Sequence, residues 1–222
     1  MIIIMLGAPG TGKGTVGKML SEKLNIVHIS SGEIFRSYIK KHDYIGKEIE
    51  NYVKSGNLVP DELSFRLVGK RLLEPDTSNG LILDGFPRTK KQAEELDRLL
   101  DIIGMKVSIA INLSLSDEEI VNRIVNRRTC PNPHCREIYN LQYKRPKVEN
   151  ICDKCGTELI LREDDNEETV KQRLNTYHTI SEDLINYYEN KDILYTVQMN
   201  EQSHNTTENL AEEIDNYLKG KK

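Results

Sequence analysis

The stretch Gly7-Ala8-Pro9-Gly10-Thr11-Gly12-Lys13-Gly14-Thr15 constrains this chain more than any other. An apolar run, Ile2 to Leu6, precedes it, and a helical pattern opens near Val16. Gly7, Gly12 and Lys13 stand at the spacing of a phosphate-binding loop. Glycines let backbone N–H groups converge on phosphate oxygens, the helix N-terminus adds a positive end, and Lys13 reaches the outer phosphates. One position departs from the pattern: Gly14 stands where Ser or Thr usually follows the lysine, and Thr15 comes one later. A Gly-rich strand–helix turn without ligand would share the glycines. The strand before, the helix after and the lysine in place weigh against that reading.

A loop of this kind needs a parallel sheet behind it. Five short apolar runs supply candidates: Ile2 to Leu6, Ile26 to Ile29, Leu81 to Leu83, Val107 to Ile111 and Ile193 to Val197. Near-continuous runs suit strands covered on both faces by helices, so an α/β fold with a five-stranded parallel sheet is expected. Helix starts are marked by Ser30 followed by Glu33 and by Ser116 followed by Glu119, both capping boxes. A longer helix is predicted after Asp165 from the spacing of Val170, Leu174, Tyr177, Ile180 and Leu184. Residues 129–165, with four Cys, several Pro and many turn residues, fit no α/β pattern and read as an inserted module.

Charge narrows the partners. Lys and Arg number 31 against 35 Asp and Glu, a net charge of −4, so a generic nucleic-acid surface is not indicated. Around the cysteines, Glu163, Asp164, Asp165, Glu167 and Glu168 make an acidic stretch that would repel a phosphate backbone. Any phosphate ligand must be held by a few placed cations. No apolar run approaches the roughly 20 residues that span a bilayer, and Ile2 to Leu6 lacks the basic flank of a secretory signal. The chain reads as cytoplasmic. A second signature, Asp84-Gly85-Phe86-Pro87-Arg88 with Gln92, follows the third run. An apolar strand ending in Asp is where phosphate-loop proteins place the carboxylate that orients hydrated Mg2+. Arg123 and Arg127, four apart on one predicted helix, share a face.

In order and spacing these residues, with Ser30-Ser31-Gly32-Glu33 to Arg36, Gly56 to Asp61, and Arg162 to Asp165 with Arg173, resemble the adenylate kinase family in its bacterial long-lid form. The resemblance covers nearly the whole chain. It implies a doubly wound core (1–29, 60–127 and 166–222), a helical arm that clasps the monophosphate (30–59) and a lid (128–165). It also implies that Gly10 to Thr15, Arg123, Arg127, Ile138, Tyr139 and Gln202 bind ATP. Ser31, Arg36, Asn57, Leu58, Val59, Gly85, Phe86, Pro87, Arg88, Gln92, Arg162 and Arg173 would bind AMP. Lys13, Asp84, Arg88, Arg127, Arg162 and Arg173 would serve the chemistry, ATP + AMP = 2 ADP, in a monomer.

Cys130, Cys135, Cys152 and Cys155 are the only cysteines. The second pair has metal-knuckle spacing, and together the four resemble a structural zinc site in the lid. The first pair is wider, because Pro131-Asn132-Pro133-His134 intervenes; His134 is a possible substitute ligand beside Cys135. A disulfide is the alternative, disfavoured in a chain without secretory features. Rival functions are a UMP/CMP kinase, a kinase using GTP as donor, and a non-catalytic phosphate-loop or zinc-knuckle binding module. The long cysteine-bearing lid argues for AMP over UMP or CMP.

Overall fold

The computed structural model describes residues 1–199 and 206–220. Its center is a five-stranded parallel sheet in the order β2-β3-β1-β4-β7, formed by β1 (Ile2–Leu6), β2 (Val27–Ser30), β3 (Leu81–Asp84), β4 (Val107–Ser114) and β7 (Leu194–Gln198). All five predicted apolar runs are strands, with ends shifted by up to three residues. β1 lies in the middle and is buried along its whole length. Its alternation divides the interior: Ile2, Ile4 and Leu6 face one side, Ile3 and Met5 the other.

On the first side pack α4 (Asp61–Leu72), α5 (Lys90–Ile102) and α7 (Glu167–Glu189), through Val68, Leu72, Leu96, Leu100 and Leu184. On the second lie α1 (Lys13–Leu24) and α8 (Thr206–Gly220), through Val16, Leu20, Ala211 and Ile214. Helices on both faces make the sheet doubly wound, and they leave the C-terminal strand ends open as the place for a ligand. The register puts Met5 opposite Asp84 and Ser30 opposite Asp84, so the glycine loop, the Asp84 strand end and the start of α2 (Ser31–Ile39) meet at one edge.

Two excursions leave this core. After β2, α2 and α3 (Tyr44–Lys54) form a helical pair with its own apolar cluster of Phe35 and Ile49, shared with Val59, Leu63 and Leu67. The helix predicted to carry both Arg123 and Arg127 ends early: α6 spans Asp117–Val125, and Arg127 begins a two-stranded antiparallel ribbon, β5 (Arg127–Thr129) and β6 (Ile138–Asn140), that runs into the module read as turns. Ser116 caps α6 by accepting from the Glu119 N–H, as its capping box predicts. Ser30 does not cap α2; its side chain makes no cap bond. Among the described residues no helix is long and apolar enough to cross a membrane.

Candidate active site

The glycine loop turns between β1 and α1 with Gly7, Gly10 and Gly12 at φ 128°, 85° and 96°. At Gly7 and Gly10 the requirement is double, because a Cβ would stand 2.3 Å from the Leu113 carbonyl oxygen and 2.8 Å from Ile124 Cγ1. Thr11 is fully buried and its hydroxyl donates to the Ala8 carbonyl, so it shapes the loop from within. Lys13 Nζ donates to the carbonyls of Gly7 and Ala8 at 2.8 and 2.6 Å, which curls the ammonium over the loop. Burial lowers its pKa to about 8, with Asp84 opposing and Arg88 and Arg127 adding to the depression.

The unusual Gly14 finds its reason here. A Cβ at that position would lie 3.3 Å from Asp84 Oδ2, tight enough that the carboxylate would have to shift by a few tenths of an ångström. Gly14 therefore lets the strand-end carboxylate approach the loop. His28 Nε2 sits 3.8 Å from the same oxygen.

Across the cleft, Gly85 turns at φ 75° and offers its carbonyl to two donors, Ser31 Oγ at 2.7 Å and Arg88 Nε at 2.9 Å. Gln92 is buried; its Oε1 accepts the Arg88 N–H and its Nε2 donates to Asp61 at 2.7 Å. The Arg36 guanidinium lies over Gly32. From the lid side, Arg127 pairs with Asp165 through two parallel hydrogen bonds, Nε to Oδ2 at 2.8 Å and Nη2 to Oδ1, and Arg173 bonds Asp164. Asp164 and Asp165, part of the acidic stretch in the sequence, are thus buried counter-ions rather than a solvated face. Burial lowers the pKa of Arg36, Arg88 and Arg162, reinforced by neighboring guanidinia. Burial acts the same way on Arg127, but the Asp165 carboxylate outweighs it and the net shift is upward. All remain cations at neutral pH.

These groups border one cleft of about 1040 Å³. That exceeds a usual single-ligand site of roughly 300–1,000 Å³. The structure brings to it Gly10, Gly12 to Thr15, Arg36, Asn57, Leu58, Val59, Asp84, Gly85, Phe86, Arg88, Gln92, Arg123, Arg127, Ile138, Tyr139, Arg162 and Arg173. Thr11 and Ser31 are buried behind its wall, and Pro87 borders a separate small cavity beside Lys13 and Arg88. Gln202 lies outside the described residues. Sequence reasoning missed Tyr143, whose ring sits 5.9 Å from the Arg123 guanidinium, and Glu33, which bonds Arg136 of the lid. Neither contact leaves a spacing signal, because each joins distant segments.

In the lid the four cysteine sulfurs lie within 4.8 Å of one another, with Cys130–Cys155 at 3.4 Å and Cys135–Cys152 at 3.6 Å. A tetrahedron with metal–sulfur bonds of about 2.3 Å has edges of about 3.8 Å, so this donor set fits a tetrahedral, thiophilic ion. Backbone amides of Asn132, Glu137, Lys154, Cys155 and Thr157 favor the anionic form of the sulfurs. The wide first turn still presents both its sulfurs. His134 is not in the cluster, and among the described residues no disulfide forms.

Comparison with known proteins bears on the same residues. The family profile described as adenylate kinase matches residues 5–193. The adenylate kinase of Acetivibrio thermocellus is 49% identical over 222 residues, all of both chains. That of Lachnospira eligens is 50% identical over 197 residues, covering 89% of this chain and 92% of its own. That of Archaeoglobus fulgidus is 48% identical over 197 residues, covering 89% and 90%. With glycine loop, cleft and cysteine cluster falling inside matches of this extent, the chain belongs to the adenylate kinase family.

Proposed function

We propose that the chain transfers the terminal phosphoryl group of ATP, held as its magnesium complex, to AMP, giving two ADP. The observation that carries this reading is a single cleft, large enough for two nucleotides, with the phosphate-loop lysine and Arg36, Arg88, Arg127, Arg162 and Arg173 converging on it. Residues 30–59 are the arm that clasps the monophosphate and 128–165 the lid over ATP, both closing on the core formed by 1–29, 60–127 and 166–222. One chain supplies the whole cleft, so the enzyme works as a monomer.

Phosphoryl transfer asks for in-line positioning and charge neutralization, not a protein nucleophile. An AMP phosphate oxygen forms the new bond to the γ-phosphorus as the bond to the β–γ bridging oxygen breaks, and ADP leaves with that electron pair. Lys13, Arg88, Arg127, Arg162 and Arg173 neutralize the charge spread over the transferring group. Magnesium bound with ATP would supply further neutralization of phosphate charge, and Asp84 and Thr15 are the residues that would hold its water shell. Closure of both arms excludes water, which would otherwise take the phosphoryl group. Cys130, Cys135, Cys152 and Cys155 would hold zinc, and four protein ligands would make that ion a staple of the lid rather than a participant.

The test is direct. Incubated with ATP, magnesium and each monophosphate in turn, the protein is expected to form diphosphate with AMP. Preference for UMP or CMP, equal use of GTP, or no turnover would each overturn the substrate assignment. Lys13→Ala or Arg88→Ala should lower turnover about 10²–10³-fold with the fold intact.

A further inference from the structure

The side chain of Tyr139 is engaged in a way that nucleotide binding does not account for. The residue borders the cleft but is 2% exposed, and its hydroxyl lies 3.5 Å from Cys152 Sγ. The same oxygen accepts the Asp153 N–H at 2.7 Å. A phenol has one proton to give. If Cys152 donated to the oxygen instead, the hydroxyl proton would be buried without an acceptor. Giving its one proton to Cys152 Sγ leaves the Tyr139 hydroxyl fully paired, with the Asp153 N–H as its donor and the sulfur as its acceptor. A second hydroxyl, Thr157 Oγ1, stands 3.3 Å from Cys155 Sγ.

We infer that Tyr139 and Thr157 complete the outer shell of the lid metal centre, and that Tyr139 is its principal positioning residue. This rests on the four-thiolate zinc reading above. Four thiolates around a divalent ion leave an excess of negative charge on sulfur, and hydroxyl donors disperse it and fix the direction of each lone pair. Tyr139 pairs with Arg128 across the β5–β6 ribbon, next to Arg127. Its hydroxyl therefore ties the second cysteine turn to the ribbon that carries an arginine of the cleft. One residue joins metal and nucleotide site.

The experiment uses full-length protein loaded with zinc, and in parallel with cobalt(II). Tyr139→Phe keeps the ring and removes the donor. It should release zinc to a chromogenic chelator about 10- to 100-fold faster than wild type and shift the sulfur-to-cobalt charge-transfer band. Thr157→Val, beside the exposed Cys155, should shift the band in the same sense by less. Wild-type release and an unmoved band in Tyr139→Phe would overturn the inference while leaving the zinc reading intact. Faster release with an unmoved band would mean that the hydroxyl supports the lid fold without acting on the metal-bound sulfur, and would also overturn it. Should Tyr139→Phe not fold, an unmoved band in Thr157→Val overturns it. A wild type that binds no metal overturns both readings.

Discussion

The two excursions from the core solve one problem in opposite ways. Residues 30–59 are helical and borrow a core: Phe35 and Ile49 pack with Leu63 and Leu67 of α4, which belongs to the central fold. Residues 128–165 have two short strands and a cluster of only Cys130, Tyr139, Cys152 and Leu159 among their buried side chains. A segment of that size with so little apolar burial lacks the means to order itself, and cross-linking by a metal is the common remedy. An arm built on hydrophobic contact can bend at its ends and stay folded. One built around four sulfurs would depend on a bound ion for its fold.

The comparison breaks most easily at the metal. Chelation should abolish amide-exchange protection across 128–165 while leaving 30–59 unchanged, since structural zinc of this type contributes on the order of 10–16 kcal/mol. Protection that survives verified removal would erase the contrast. Next, Ile49→Ala should cost about 2–5 kcal/mol in urea unfolding, with or without zinc, because Ile49 is fully buried in the helical arm. A loss that depends on zinc would show the arms to be one cooperative unit.

The glycine loop gives a third measurement. With its pKa lowered to about 8, Lys13 is charged below that pH and loses its proton as pH rises through it. Attraction for ATP is therefore intact below pH 8 and declines above, so kcat/KM for ATP should fall toward tenfold per pH unit. A flat profile to pH 10 would remove Lys13 from the phosphate site. The smallest effect belongs to the contact between the arms. Glu33→Gln, which breaks the half-exposed pair with Arg136, should change nucleotide affinity by under about 1 kcal/mol, and less at high salt. A larger, salt-independent loss would mean that the arms depend on each other.

Much of the core was legible because its signals are local. Continuous apolar runs marked the strands, and the loop glycines and Lys13 are defined by spacing. Signals failed where a distant partner outbid a near one. Ser30 and Glu33 have capping-box spacing, yet Glu33 bonds Arg136, 103 residues away. Asp164 and Asp165 read as a solvated acidic stretch because their arginine partners are not their sequence neighbors. Ribbon β5–β6 was hidden by turn-rich composition, since three-residue strands carry too little periodicity to register. Tyr139 was drawn toward the nucleotide by resemblance; nothing in the sequence says where a phenol points.

The paired carboxylates beneath the arginines have one more consequence. A guanidinium carries five N–H donors, and Asp165 takes two from Arg127, which leaves the others for a phosphate. Its plane is clamped before any nucleotide arrives, and Arg173 is tethered by a single bond to Asp164. The rotational freedom of two long side chains is surrendered once, when the chain folds, instead of at every catalytic cycle. An acidic pair that would look out of place beside a polyanion works as a mounting bracket.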